Sequence, residues 1–557
     1  MMKSSIFLSL TAASALFLYL LMTSGCNSCG SSSVITPSWP QWRGDEFRSA
    51  TQLFETELND VNNVMTLHVA WTFTDPNGPP AFRASPVVFN GKVYIGDSNG
   101  FFYCLDASTG NKLWQYPLAP PGLTTQFTGG NPSGLGIASS AAVTVVGSTR
   151  AVIFGAPDQS SGLHLGDGHL FALNADTGAV IWESPAVALV TGLTDGDTSQ
   201  KHEQIGYSAP LIFNDHVYIG IADHGDNPIQ QGKVVAVKLS DGSVDSGFSF
   251  LATGTRGGGV WGSLAAWDDV YVTTGNTRCD GAGCQPEPSP NYGLSMLRLG
   301  KDTGKPYWKQ QPVPFALDDD PDWAAGPAVM YAADCGPAII STQKDGWTWA
   351  VQAGSGSPAL PPASPGPPNV MWAFPAGPWV PGGFTQQDHT THGDTDYKRP
   401  GATWGDVYIG AMGGWQTTSN LVAGYTRLHA LNVCETDAKR VRWIKDIPGT
   451  DPNWNGTYSL GPPTVTTDGM VFVGTNQGHI VAIADPQLHP ALGNRCEDPS
   501  IPSGQCQGAG RRLVPDPWIR DIALPGSPGD GIFGEPVIVN GQVFVATISG
   551  NVYMLKP

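Results

Sequence analysis

The chain has 557 residues, with 29 Lys plus Arg against 47 Asp plus Glu, and a formal net charge of −18 at pH 7. That acidic balance, with no Lys/Arg-rich run anywhere, argues against a nucleic-acid partner, because a phosphate backbone is bound by basic surfaces. Seventy Gly and 47 Pro beside only 14% charged residues favour a turn-dense all-β protein over a helical one.

The first stretch is not part of the fold. Lys3 precedes an apolar run, Ile6 to Met22, which ends in Thr23-Ser24-Gly25-Cys26. This is the layout of a secretory signal over residues 1–25, with small residues before a cleavage point. A Cys directly after Ser-Gly resembles a bacterial lipobox, with Thr23 where Leu is usual. The expectation is a lipidated Cys26 and an exported, periplasmic or outer-membrane-anchored lipoprotein; a plain signal peptide or an uncleaved anchor are the other readings. Residues 26–38 then serve as a flexible tether.

A repeat begins at Ala84. The stretch ASPVVFNGKVYIGDSNGFFYCLDASTGNKLWQY (residues 84–116) reads as four short antiparallel strands ending in Trp114. Asn90-Gly91 between apolar alternations is a hairpin signal, since both central residues of the favoured turn need positive φ. Further copies end in Trp182, Trp308, Trp372, Trp443 and Trp518, and the third lacks its Trp. The last copy, from Glu535, also lacks its Trp-bearing strand, whereas Val69 to Phe73, with Trp71, stands unmatched before the first copy. The expectation is an all-β, eight-bladed β-propeller over residues 39–557, closed by that N-terminal strand so that no long edge is left open.

Cysteine usage fits an oxidising compartment. Cys279 with Cys284 and Cys496 with Cys506 read as local disulfides in insertions; Cys29, Cys335 and Cys434 have no assigned partner. Cys104 stands where other copies carry Ala172, Ala236, Ala430 and Ala482, and reads as a small packing residue. No Cys-x-x-Cys-His occurs, so no c-type haem is expected in this chain.

The D-x-x-T-G-x-x-x-W ending resembles the tryptophan-docking repeat of quinoprotein alcohol dehydrogenases, eight-bladed propellers that carry pyrroloquinoline quinone (PQQ). The entry segment WPQWRGDEFRSATQLFETELNDVNNV…VAWTF is similar to that of the polyvinyl-alcohol-dehydrogenase branch. The resemblance implies site residues in the fourth and fifth copies. Trp261, after Gly257-Gly258-Gly259, would be the flat floor for the quinone, the glycines allowing close backbone approach. Asn276, in Thr273-Thr274-Gly275-Asn276, would offer its oxygen to Ca²⁺, although Ser133 to Ala142 holds no Asp or Glu where the family has its acidic ligand. Asp320, in Asp318-Asp319-Asp320-Pro321-Asp322-Trp323, would be the catalytic base. Lys344, in Gln343-Lys344-Asp345-Gly346, would set its ammonium against the quinone oxygens. The segment DHTTHGDTD, with His389 and His392, reads as a polar loop rather than a metal site.

Two functions follow as expectations. One is a PQQ-dependent dehydrogenase that oxidises a small or polymeric alcohol, passes electrons to an external acceptor such as a cytochrome, and meets the membrane only through a lipid anchor. The other is a non-catalytic propeller lipoprotein that scaffolds envelope protein assembly.

Overall fold

The computed structural model describes residues 38–557 apart from 77–80, 119–135, 157–167, 186, 188–204, 223–230, 254–256, 278–290, 313–321, 324, 333, 344–346, 355–366, 376–392, 396–405, 417–420, 436, 448–460, 497–502 and 528. The expected signal, Cys26, the tether up to residue 37, and the pair Cys279 and Cys284 lie outside them. Among the described residues no helix is long and apolar enough to cross a membrane.

The architecture is an all-β propeller. Seven blades are built from contiguous stretches of chain, over residues 87–117, 142–183, 211–251, 265–310, 328–375, 393–447 and 464–523, the last interrupted by a separate hairpin of Gly493–Cys496 and Leu513–Asp516. The seventh has a fifth strand, Thr51–Gln52, lying parallel to Thr464–Thr466. In the first blade the strands are Val87–Phe89, Lys92–Gly96, Phe101–Asp106 and Lys112–Pro117, each antiparallel to the next. The expected hairpin turn is formed there, with φ of 50° at Asn90 and 72° at Gly91.

The expected eight equivalent blades are therefore seven contiguous ones and a composite sheet. The last copy supplies Val537–Val539, Gln542–Ala546 and Asn551–Lys556, and its fourth strand is His68–Thr74 from the other end of the sequence. Val69 pairs with Leu555 and Trp71 with Met554 in antiparallel register. The sheet packs on both faces. Val537, Phe544 and Met554 share a core with Val93, Ile95 and Tyr103 of the first blade, whereas Val543, Val545 and Leu555 pack with Phe472, Ile480 and Ala482 of the seventh.

Each docking Trp joins its sheet to the next one. The indole N–H of Trp114 donates to the Ala175 carbonyl, Trp182 to Leu239, Trp308 to Ala353 and Trp372 to Val433. Trp71 makes the same bond to Ala107, at 3.0 Å. The repeat's Gly is what lets the ring lie flat on the turn: a Cβ on Gly110 would stand 2.7 Å from the Trp71 ring, and one on Gly178 2.8 Å from Trp114. The third blade lacks its Trp because backbone fills that place, with the Ser249 carbonyl 2.5 Å from a Cβ built on Gly304. Trp71→Ala is expected to lower stability by about 3 kcal/mol, the toll of removing a large packed ring. Denaturant unfolding measures this, and a change near zero would show that the strand is dispensable.

Disulfides join Cys335 to Cys434 and Cys496 to Cys506. The second is the local bridge expected. The first, 99 residues apart in sequence, staples the fifth blade to the sixth. Cys104 is free and buried, as a packing residue should be. Of DHTTHGDTD, Gly393–Thr395 forms a strand of the sixth blade, and His389 and His392 lie outside the described residues.

The segment from Trp39 to Gln52 runs through the channel along the inner strands. Trp39 exchanges backbone hydrogen bonds with Val88, and the Pro40 carbonyl accepts from Val143. The Glu46, Phe47 and Ala50 carbonyls accept from Ala266, Val329 and Val465, in the fourth, fifth and seventh blades. Arg48, 1% exposed, donates to the carbonyls of Leu264, Pro210 and Trp42. Glu535 accepts from the Trp39 indole and from the Arg43 N–H. These polar residues form the plug on which the inner strands close.

Burial of that plug has a pH consequence. Desolvation pushes the Glu535 carboxyl up from 4.5 to about 7, and burial raises Asp45 and Glu46 in the same direction. Between about pH 4.5 and 7 the folded chain keeps a proton on Glu535 that the unfolded chain has released, so stability falls as pH rises through this window. Glu535→Gln keeps an acceptor for Trp39 and Arg43 and is expected to flatten that fall. Unfolding titrations across the window check it, and an unchanged slope would contradict the assignment.

Candidate functional site

The second strands of the blades end on one face of the propeller, and Asn276 and Gln343 follow those of the fourth and fifth, whereas Gly259 and Trp261 precede the first strand of the fourth. Val270–Thr273 leads into Thr274-Gly275-Asn276, and Gly336–Thr342 leads into Gln343.

The glycine-rich segment is fixed by backbone on three sides. The Gly258 N–H donates to the Asn276 carbonyl at 2.6 Å, and the Gly275 N–H to the Gly259 carbonyl at 2.8 Å. The Gly232 N–H donates to Gly257, and Val260 donates to Ile221 in the third blade. A side chain would not fit: a Cβ on Gly232 would stand 1.8 Å from the Gly258 carbonyl oxygen, and Gly258 itself has φ +73°. Gly259 and the partly buried Trp261 thus belong to the same backbone unit as Asn276. The Asn276 side-chain oxygen is shielded from solvent.

A carboxylate stands directly against this unit, and it is Asp322. It is 4% exposed, and its Oδ1 is 3.1 Å from the position of a Cβ on Gly275. The cause is its neighbour: Trp323, 1% exposed, sits in a core with Tyr271, Trp308, Val329 and Ile339, and draws the preceding Asp inward. The Ala325 carbonyl accepts from the hydroxyls of Thr273 and Ser341, which ties this segment to both blades. Asp320, the expected base, lies outside the described residues.

Lys344 also lies outside them, but its frame is described. The Gln343 N–H donates to the Trp347 carbonyl at 2.9 Å, and the Thr342 and Thr348 hydroxyls meet at 2.8 Å just beneath. Gln343 is fully buried.

The donor set suits a hard cation in kind. A carboxamide oxygen on Asn276 and a carboxylate on Asp322 are ligands of the type Ca²⁺ takes; the Asp322 carboxylate adjoins Gly275, and Asn276 is the next residue in the chain. Among the described residues no three His, Cys, Asp or Glu side chains converge. In the second blade, Ser139 donates to the Ser208 carbonyl and Ser140 accepts from the Ser85 N–H, both structural roles.

Residues 39–364 match the PQQ family described as the glucose/ethanol/alcohol dehydrogenase β-propeller domain. The chain belongs to this family. A quinoprotein alcohol dehydrogenase of Pseudomonas putida, PedH, is 26% identical over 46% of this chain and 44% of its own length. The dehydrogenase subunit of a quinone-linked alcohol dehydrogenase of Gluconobacter oxydans is 24% identical over 60% of this chain and 48% of its own. The matches thus span about half the length of these relatives or less. Among solved structures, the quinohemoprotein alcohol dehydrogenase of Comamonas testosteroni has a TM-score of 0.61 at 18% identity, covering 94% of this chain and 81% of that one. A europium-containing methanol dehydrogenase has a TM-score of 0.61 at 14% identity, covering 94% and 98%. At these identities the structural likeness speaks for the fold.

Proposed function

We propose that this PQQ-family propeller is a dehydrogenase that binds PQQ, oxidises an alcohol and passes the electrons to an external acceptor. The observation that carries the reading is the convergence of the Gly257–Gly259 unit with Asn276 and Asp322 at one end of the channel. PQQ, when bound, supplies the two-electron acceptor for the hydride of the alcohol carbon. Trp261 and Gly259 would give it a flat floor, Asn276 with Asp322 would hold Ca²⁺, and Lys344 would stabilise negative charge on its oxygens. Asp320 takes the hydroxyl proton. The family match and the quinoprotein relatives favour this reading over the scaffold. We further infer that the composite sheet closes the ring as an eighth blade, a reading supported by its packing on both neighbours and by Trp71. Export and anchoring through the segment that ends at Cys26 complete the proposal.

The test is turnover. Purified protein supplied with PQQ and Ca²⁺ should reduce an artificial electron acceptor when given a primary or secondary alcohol, and should not do so without PQQ. No reduction with a panel of alcohols, in protein that binds PQQ, would leave a cofactor-binding propeller without this activity.

A further inference from the structure

We propose that the propeller face opposite the site docks on a lipid bilayer, with the site mouth turned away from it; this rests on the anchoring reading above. The first observation is where the chain enters. Trp39 pairs antiparallel with Val88, so Ser38 lies a step nearer to the Asn90-Gly91 turn, on the face away from Asn276. The Gln52 side chain donates to the Ser38 carbonyl, so the segment leaves the channel through the same mouth. Residues 27–37 separate Ser38 from Cys26, and a chain of that length reaches at most roughly 40 Å when fully extended. On the anchoring reading, the tether thus joins the propeller at this face.

The second observation is what the face exposes. Beyond Gln52 come Leu53 and Phe54, 45% and 42% exposed, followed by Met65 at 48%. This stretch lies across the hairpin turns of the seventh blade and the composite sheet, where Glu55 accepts from the Gly541 N–H and Asn59 donates to Asp468. Val145 and Tyr331, at the same ends of their inner strands, are 51% and 42% exposed. Tyr331 stacks on Trp267 at 5.7 Å, and Trp267 leans on Phe47 of the plug. Aromatic rings with a polar tip, beside aliphatic side chains, are the composition that settles at the bilayer interface. The exposed Glu57 and Asp60 nearby, and the net charge of −18, suit uncharged headgroups rather than anionic ones.

The experiment uses full-length protein with phosphatidylcholine–phosphatidylethanolamine vesicles whose acyl chains carry bromine close to the headgroup. The protein should float with the vesicles and its tryptophan emission should be quenched. Trp267→Phe should lose much of that quenching, whereas Trp347→Phe, on the site face, should leave it unchanged. Tyr331→Trp should add quenching, and reads the same face should Trp267→Phe fail to fold. Quenching that survives Trp267→Phe and is not raised by Tyr331→Trp, or that falls in Trp347→Phe, overturns the docking. Wild-type protein that does not float fails the anchoring reading, and the docking with it. Flotation without quenching from this face fails the docking alone.

Discussion

Asp320→Asn is expected to lower alcohol turnover on the order of 10²- to 10⁴-fold while leaving PQQ affinity within a few-fold, because an amide cannot accept the hydroxyl proton. Asp322→Asn should behave differently. Its carboxylate stands against Gly275, next to Asn276, so neutralising it removes a hard ligand and should weaken PQQ binding in a way that excess Ca²⁺ restores. Turnover at saturating cofactor, beside cofactor affinity at several calcium concentrations, separates the two. Loss of turnover at full affinity in Asp322→Asn, with Asp320→Asn close to wild type, would move the base to Asp322.

Lys344→Ala should cost on the order of 10²-fold in kcat, the scale of losing one preorganised electrostatic donor. The fold should not suffer, since the Gln343 N–H is bonded to the Trp347 carbonyl, a backbone bond that the substitution leaves in place. Lys344→Arg keeps the charge and should recover part of the rate. An unchanged kcat in Lys344→Ala would remove the ammonium from the proposed chemistry.

Local rules made much of the fold legible. The Asn90-Gly91 turn forms because its residues tolerate positive φ, and the Thr-Gly turn of the repeat is flat because an indole from the preceding sheet lies on it. Trp71 could be matched to the last copy because a missing strand and an unmatched strand share one pattern, and the pairing is seen with Met554. Counting copies does not count blades, however. The eighth copy holds three strands, and the contiguous blades number seven among the described residues.

The less legible parts depend on long-range packing. The resemblance singles out Asp320, which lies outside the described residues, and it does not single out Asp322, which the structure sets against Gly275 beside the buried Trp323. An acid immediately before an aromatic at the end of an acidic run is the one local signal that pointed there. The Cys335–Cys434 bridge joins adjacent blades across 99 residues, a neighbour relation that no spacing rule supplies. The burial of Arg43 and Arg48 is set by the inner-strand carbonyls and the Glu535 carboxylate around them, partners far away in sequence.

The central claim is that this propeller holds PQQ on the Trp261 floor, and calorimetric titration of the purified full-length chain with PQQ tests it most directly. The account predicts one saturable site, weaker when calcium is chelated and much weaker in Trp261→Ala. No heat of binding with or without calcium, in protein whose circular dichroism is that of a folded β-propeller, would contradict it.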